Sequence, residues 1–451
     1  MKQDAPLYEM LKKYAEMDCA RFHMPGHKGQ GNLDCFKYDI TELSFSDNLY
    51  APQGVLKHAQ GLMASAVGAY RSYMLTGGSS QGVRAMLCAA FKEGDKVIMS
   101  RNSHRSAGDA LAFSGAFPVY IQPRINNGRL EQPDVGDIER CIAGHPDAKG
   151  IFLTSPDYCG RCAPLEEIGQ LAKKNGMLLL VDEAHGAHFP YYGFKGAAEA
   201  EADMWVQSMH KTMGALTQAA LLNIGNARYE NKLSMLLAML GTSSPSYLIM
   251  ASMDLARAES ENIDKEKVLT RIKRLRKKLS EAGISLMEGD GQDITRLCVL
   301  TAPNFSGLSA AGQLEKMGVY PECADEYVII FILTHKDDAQ KLERLYNALT
   351  NLKAEPFHSM PEMPSKLPER VLSPRQAVFL SQHRYIPLEK ALGEVCARAF
   401  GAYPPGVPAA ASGERIEKDT LEYILSAYKS GQELFGIQDG CVLVCGDRQL
   451  Y

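Results

Sequence analysis

The sequence predicts an α/β fold: a mostly parallel sheet covered by helices, followed by a smaller C-terminal α/β domain. Two observations predict it. Short apolar segments of strand length alternate with helical patterns through the middle of the chain. Past about residue 230 that texture gives way to a charge-rich helical stretch, DKEKVLTRIKRLRKKLSEAG, and then to a second, shorter α/β segment. Strands are expected at KVIMS (96–100), PVYIQ (118–122), GIFLT (150–154), MLLLV (177–181), MWVQ (204–207) and AALLNI (219–224). In the clearest helix between them, Val83, Met86, Leu87, Ala90 and Phe91 recur at helical spacing and give one apolar face. Another helix is expected from about Pro164 to Lys174, opened by proline and closed by Gly176. The second segment should carry strands near 295–300 and 327–333, and a loop with five prolines between Pro356 and Pro374 sets off a last part containing AYPPGVP (402–408). The expected organisation is an N-terminal arm (1–55), a large domain (56–280), a small α/β domain (281–355) and a C-terminal domain (370–451).

Composition narrows the function. The chain has 451 residues, enough for two or three domains with a real core. Its 49 basic and 53 acidic residues give a formal charge of -4, which advertises neither a nucleic-acid nor an anionic-membrane partner. The basic run 273–278 is bracketed by acidic residues and reads as a solvated helix face. The first residues mix charges and have no apolar signal core. No apolar run approaches the roughly 18 residues of a membrane span. Eleven scattered cysteines argue for reduced thiols. The expectation is a soluble, cytoplasmic protein.

The chemistry-bearing residues fall at strand ends, where open α/β sheets bind ligands. In LTGGSSQGV (75–83), Gly77 and Gly78 allow a tight turn, and Ser79 or Ser80 caps a helix whose free N–H groups suit a phosphate. His104, in SRNSH after the strand 96–100, can stack on a flat ring or simply bond to backbone. Asp182 ends the apolar strand MLLLV, where a carboxylate needs a partner: a protonated ring nitrogen or a structural hydrogen-bond network. Lys211, in SMHKT at the end of the strand 204–207, is placed where desolvation activates an amine toward carbonyls, with Ser208 and His210 beside it for a phosphate. A lysine, an acid and phosphate-binding groups in this order are what pyridoxal 5'-phosphate (PLP) requires. DEAH also spells a helicase motif, but no GxxxxGK[ST] loop precedes it. His185 and His188 lack the spacing of helical zinc sites, so no metal is expected. Cys159 and Cys162 form a C-x-x-C that reads as an edge of the site rather than as a redox pair.

These segments resemble the Orn/Lys/Arg decarboxylases, basic amino-acid decarboxylases on the aspartate-aminotransferase-like (fold type I) PLP scaffold. The resemblance runs through RFHMPGHKG (21–29), DITEL (39–43), LTGGSSQG (75–82), SRNSHRS (100–106), LTSPDYCG (153–160), VDEAHGAHF (181–189), SMHKT (208–212), TSSPSY (242–247) and AYPPGVP (402–408). FHMPGHKG, SMHKT and YPPGVP are its most specific parts, and the length is similar to the short bacterial form without an N-terminal regulatory domain. The resemblance implies that Lys211 carries the Schiff-base link to PLP, Asp182 pairs with the pyridine nitrogen and His104 stacks on the ring. It further implies that Gly78, Ser79, Ser80, Ser208 and His210 hold the phosphate. The Thr242-Ser243 turn would reach the phosphate of the partner in a homodimer with shared active sites, or in a higher oligomer built from it. The implied activity is decarboxylation of arginine, lysine or ornithine, feeding polyamine synthesis. Transamination, β-elimination and a non-catalytic regulatory paralogue are the alternatives. Each basic substrate has a distal cation, for which Glu322 and Glu414 are the candidate acceptors. The chain departs from the family at Ser412-Gly413-Glu414, where a proline is usual before the glycine. It departs again at Asp157, Cys159 and Arg161 in TSPDYCGR.

Overall fold

A computed structural model describes residues 4–122, 124–126, 129–353, 355–356, 363–403 and 406–446. The prolines at 404 and 405 of AYPPGVP, and residues 357–362 of the proline-rich loop, lie outside the described residues. The chain forms two compact units: Met1–Ala90 with Leu178–Lys265, and Phe91–Met177 with Glu266–Tyr451. The 1–55 arm falls wholly in the first unit, and residues 281–355 and 370–451 both fall in the second.

Seven strands, in chain order, are β1 (Arg71–Leu75), β2 (Lys96–Met99), β3 (Phe117–Tyr120), β4 (Gly150–Thr154), β5 (Leu178–Asp182), β6 (Met204–Gln207) and β7 (Ala220–Ile224). In the first unit they lie in the order β1-β7-β6-β5, and in the second in the order β4-β2-β3. β5 and β6 are parallel, and β2 is parallel to both β3 and β4. Only β7 runs against its neighbours, with Arg71 and Met204 each facing Ile224. The fold is therefore the mostly parallel α/β arrangement that the alternating pattern predicts. β4, β6 and β7 are buried along their whole length, which is why they read as unbroken apolar runs rather than alternating ones. β1 was not expected; its apolar stretch is only Tyr73-Met74-Leu75, running straight into Gly77-Gly78, too short to read as a strand.

Six of the helices lie around these strands. They are α1 (Gly78–Ala90), α2 (Arg105–Ser114), α3 (Leu165–Lys174), α4 (Met209–Thr212), α5 (Glu230–Leu240) and α6 (Tyr247–Ser260). α1 lies so close to the sheet that a Cβ on Gly82 would sit 2.7 Å from Val206 and 2.8 Å from Leu75. The first unit's N-terminal helix, Pro6–Ala15, is pinned to α6, where the buried Asp254 carboxylate accepts from the Leu7 N–H at 2.8 Å. Arg257 neutralises that carboxylate, and the two side chains are 1% and 0% exposed.

In the second unit, β8 (Arg296–Leu300), β9 (Cys323–Ala324) and β10 (Val328–Ile332) form an antiparallel sheet in the order β8-β10-β9. A further antiparallel sheet joins His383–Pro387, Cys441–Cys445 and Ile437–Gln438 around a core that includes Phe400, Ile416, Ile424, Val442 and Val444. All eleven cysteines are free thiols. Among the described residues no helix is long and apolar enough to cross a membrane.

Candidate active site

The first unit carries the lysine, the acid and the start of a long helix at strand ends. α1 opens at Gly78, whose φ of +73 suits glycine and whose N–H donates to the Gln218 carbonyl at 2.9 Å. The Gln81 side chain folds back to accept from the Gly77 N–H at 3.1 Å. Ser79 and Ser80 lie in the first turn and are half-buried. Their position at the start of a thirteen-residue helix puts them beside free N–H groups and the positive end of the helix dipole.

Asp182 ends β5 and is 3% exposed. Burial pushes its carboxyl upward, while the charge of Lys211 and a 3.2 Å bond from the Ala184 N–H pull the other way. The Lys211 Nζ donates to His185 Nε2 at 3.1 Å, and His185 is itself buried. The contact is invisible in the sequence, where His185 stands out only through its H-x-x-H spacing with His188. His188 instead sits edge-on to the rings of Phe189, Tyr192 and Phe194. Among the described residues, no group of three His, Cys, Asp or Glu side chains is arranged to hold a metal.

On α4 and just before it, the Ser208 hydroxyl is fully buried and has no hydrogen-bond partner, and the Thr212 hydroxyl is in the same state. His210 donates from Nδ1 to the Ala219 carbonyl at 2.9 Å, which fixes its ring. A buried hydroxyl without a partner is costly unless a ligand completes it. Thr242 and Ser243 lie in an exposed turn between α5 and α6, and the Tyr50 hydroxyl holds the turn by donating to the Thr242 carbonyl at 2.9 Å.

The two acids of VDEAH have different fates. Glu183 accepts from the Ala197 N–H and from Gln207 Nε2, each at 2.7 Å. Gln207 accepts from Asn223 at 3.1 Å, and Asn223 accepts from the Ser72 hydroxyl at 2.6 Å. The result is a buried polar chain across β6, β7 and β1. Each link lies inside apolar strands, so the pattern gave no sign of it beyond the polar letters of MWVQ, ALLNI and RSYML.

In the second unit, His104 caps α2: its Nδ1 accepts from the Ser106 N–H at 3.2 Å and lies 2.8 Å from the Ser106 hydroxyl. Glu322 is exposed and accepts from the Tyr158 hydroxyl at 2.7 Å, with the Tyr403 hydroxyl 3.4 Å from that of Tyr158. Burial first, then Cys323 and Glu322, hold the Tyr158 phenol well above its usual range, so it stays a donor. Asp157 and Arg161 pair with each other at 3.0 Å and close the turn that presents Tyr158. Cys159 packs with Cys298, Val328 and Ile330.

Glu414 does not meet the expectation of a carboxylate open to a substrate cation. It is 1% exposed, and its two oxygens accept from Arg101 at 2.8 and 2.7 Å, from Arg370 at 2.9 Å and from the Ala411 N–H at 2.8 Å. A carboxylate has about four lone-pair sites, and here each has a donor.

Comparison with known proteins gives the family and the fold. A family profile described as Orn/Lys/Arg decarboxylase, major domain, matches residues 5–306, and one described as the C-terminal domain matches residues 357–440. An arginine decarboxylase of Bacillus subtilis (strain 168) is 32% identical over 97% of this chain and 96% of its own length. One of Bacillus anthracis is 32% identical over 97% and 95%. The crystal structure of the Francisella novicida lysine decarboxylase superposes with a TM-score of 0.85 at 19% identity, over 98% of this chain and 81% of that one.

Glu183 makes the site's surroundings sensitive to pH. Burial pushes its carboxyl from 4.5 to about 8, against the opposing bonds from Ala197 and Gln207. Between those values the folded protein keeps a proton that the unfolded chain has lost. This stabilisation is full below about 4.5 and disappears as pH rises through about 8. Glu183→Gln, uncharged throughout, is expected to flatten the fall in thermal midpoint over that window. Melting curves with the same pH slope in wild type and variant would refute it.

Proposed function

Because the chain belongs to the Orn/Lys/Arg decarboxylase family and is a PLP-dependent decarboxylase, we propose that it converts arginine to the corresponding amine and carbon dioxide, in supply of polyamine synthesis. Choosing arginine among the three basic substrates draws on relatives named arginine decarboxylase that match nearly the whole chain. The observation that carries the reading is the cluster in the first unit: buried Asp182, Lys211 bonded to His185, and the orphaned hydroxyl of Ser208.

These residues fit PLP. Lys211 would tether it covalently, Asp182 would pair with its ring nitrogen, and Ser208, His210 and the start of α1 at Gly78, Ser79 and Ser80 would hold its phosphate. When bound, PLP supplies the electron sink for the bond to the departing carboxylate. Asp182 holds a proton on the ring nitrogen; a buried carboxylate gains from such a partner what burial takes away. His185 orients the Lys211 amine through the 3.1 Å bond. His104, its Nδ1 occupied by the α2 cap, is assigned to the face of the ring. Glu322 receives the distal cation, with Tyr158 fixing one carboxylate oxygen. The Thr242-Ser243 turn, exposed in the single chain, reaches the phosphate site of a second copy in a two-fold dimer.

Borohydride reduction of the PLP-loaded protein should fix the cofactor on Lys211, and a panel of amino acids should yield carbon dioxide and amine with arginine foremost. Label on another lysine would refute the site. Keto-acid or ammonia products would instead identify transamination or elimination, and no turnover of any amino acid would favour a regulatory paralogue.

Glu322→Gln should raise KM for arginine about tenfold with a smaller change in kcat. Hydrogen bonds to charged groups contribute about 1.5–3 kcal/mol, and exposure puts this one at the low end. An unchanged KM would assign the distal cation elsewhere.

Mixed dimers test the shared site. Lys211→Ala homodimers should be inactive, as should homodimers with Thr242 and Ser243 both replaced by bulky residues. Subunit exchange should restore activity, because one site of each hybrid then carries neither lesion. Exchange without rescue would exclude the turn from acting in the partner's site.

A further inference from the structure

We infer that Arg101 and Glu414 form a positioning latch that fixes the turn carrying His104, and that Glu414 influences the reaction through His104 rather than by touching substrate. This rests on the reading of His104 as the group that faces the cofactor ring.

The pair is sealed from water, with the side chains 3% and 1% exposed. It is bidentate, Arg101 Nη1 to Oε1 at 2.8 Å and Nη2 to Oε2 at 2.7 Å, which fixes angle as well as distance. The same guanidinium also donates to the Pro408 carbonyl at 3.1 Å and the Ala409 carbonyl at 3.2 Å. Arg101 therefore binds the 408–414 segment at three points. Burial alone would weaken the protonated guanidinium, and the Glu414 carboxylate more than reverses that.

Arg101 is three residues from His104, in the turn between β2 and α2. The Ser103 hydroxyl donates to the Ser100 carbonyl at 2.7 Å, and His104 is then fixed by capping α2. On this inference a shift of the Arg101 guanidinium moves the turn that carries the imidazole. The carboxylate also pairs with two like charges. Arg370 donates to the same Oε1 of Glu414 at 2.9 Å, and the Tyr120 ring lies 4.8 Å from the Arg101 guanidinium and 5.3 Å from that of Arg370. Neutralising Glu414 leaves the buried Arg101 guanidinium facing that of the partly exposed Arg370, and Arg101 is the one tied to the His104 turn. With every lone pair of Glu414 already engaged, a substrate ammonium or guanidinium has no acceptor there.

The test uses the full-length PLP-loaded protein. Wild type should show a visible circular-dichroism band of bound cofactor that Lys211→Ala abolishes; if it does not, the functional reading falls and the latch with it. His104→Ala sets the reference change in that band. Glu414→Gln should alter the band in the same sense. It should lower kcat about ten- to a hundredfold, by one factor for arginine, lysine and ornithine, and leave KM within about twofold. A raised KM that differs between guanidinium and ammonium substrates, with an unaltered band, would return Glu414 to substrate binding and overturn the latch. Arg101→Lys keeps the charge without the fork and serves if Glu414→Gln does not fold. A wild-type band and kcat in that variant would also overturn it. Adding Glu414→Gln to His104→Ala should reduce kcat no further than His104→Ala alone. Multiplicative losses would show that the effect does not run through His104.

Discussion

A carboxylate at the end of a strand buried on both faces cannot stay unpartnered, and the organisation of the first unit follows from how that constraint is met. Asp182 and Glu183 are neighbours in the chain and both are buried, yet they resolve the constraint differently. Glu183 turns into the protein and joins Gln207, Asn223 and Ser72 in a polar chain across three strands. Asp182 has only the Ala184 N–H and the field of Lys211 to set against its burial. Glu183 is bonded by two donors, one side-chain and one backbone, whereas Asp182 takes one backbone donor and the charge of Lys211. The strand ends at Asp182, and Glu183, the first residue past it, takes the partners on the Ala197 and Gln207 side.

The same logic explains why Lys211, Ser208 and the α1 turn belong together. β5 and β6 are parallel, so their carboxyl ends lie on one edge, and β1 leads into α1 from the same direction, because β7 reverses between β1 and β6. Close approach at Gly82 brings the helix start onto that edge. The orphaned hydroxyls of Ser208 and Thr212 mark where the protein's own hydrogen bonding stops.

In the second unit the constraint acts on Glu414, and the outcome is opposite to that of Asp182. Two guanidiniums and a backbone N–H fill its oxygens, which makes it part of the scaffold. Gly413 is what lets the chain arrive there: its φ is +89, and a Cβ would stand 2.1 Å from the Leu372 carbonyl. The proline that the family places before this glycine is therefore dispensable to the turn, whereas the glycine is not.

Apolar runs and fixed short motifs are local properties, so the chain's letters alone specify the mostly parallel α/β class, six of the strands β1–β7, and the family. They also place Lys211, Asp182 and the Gly-Ser turn at strand ends. What only the tertiary structure decided is which side chains use one another. His185 serves Lys211 from twenty-six residues away, Glu183 is tied to Ser72 through two other strands, and Arg101 takes Glu414 from 313 residues away. No window of the chain contains such a pair. A lone acid in a sequence reads the same whether it waits for a substrate or is already held by two arginines. Burial and geometry separate these cases, and both arise only when distant segments pack.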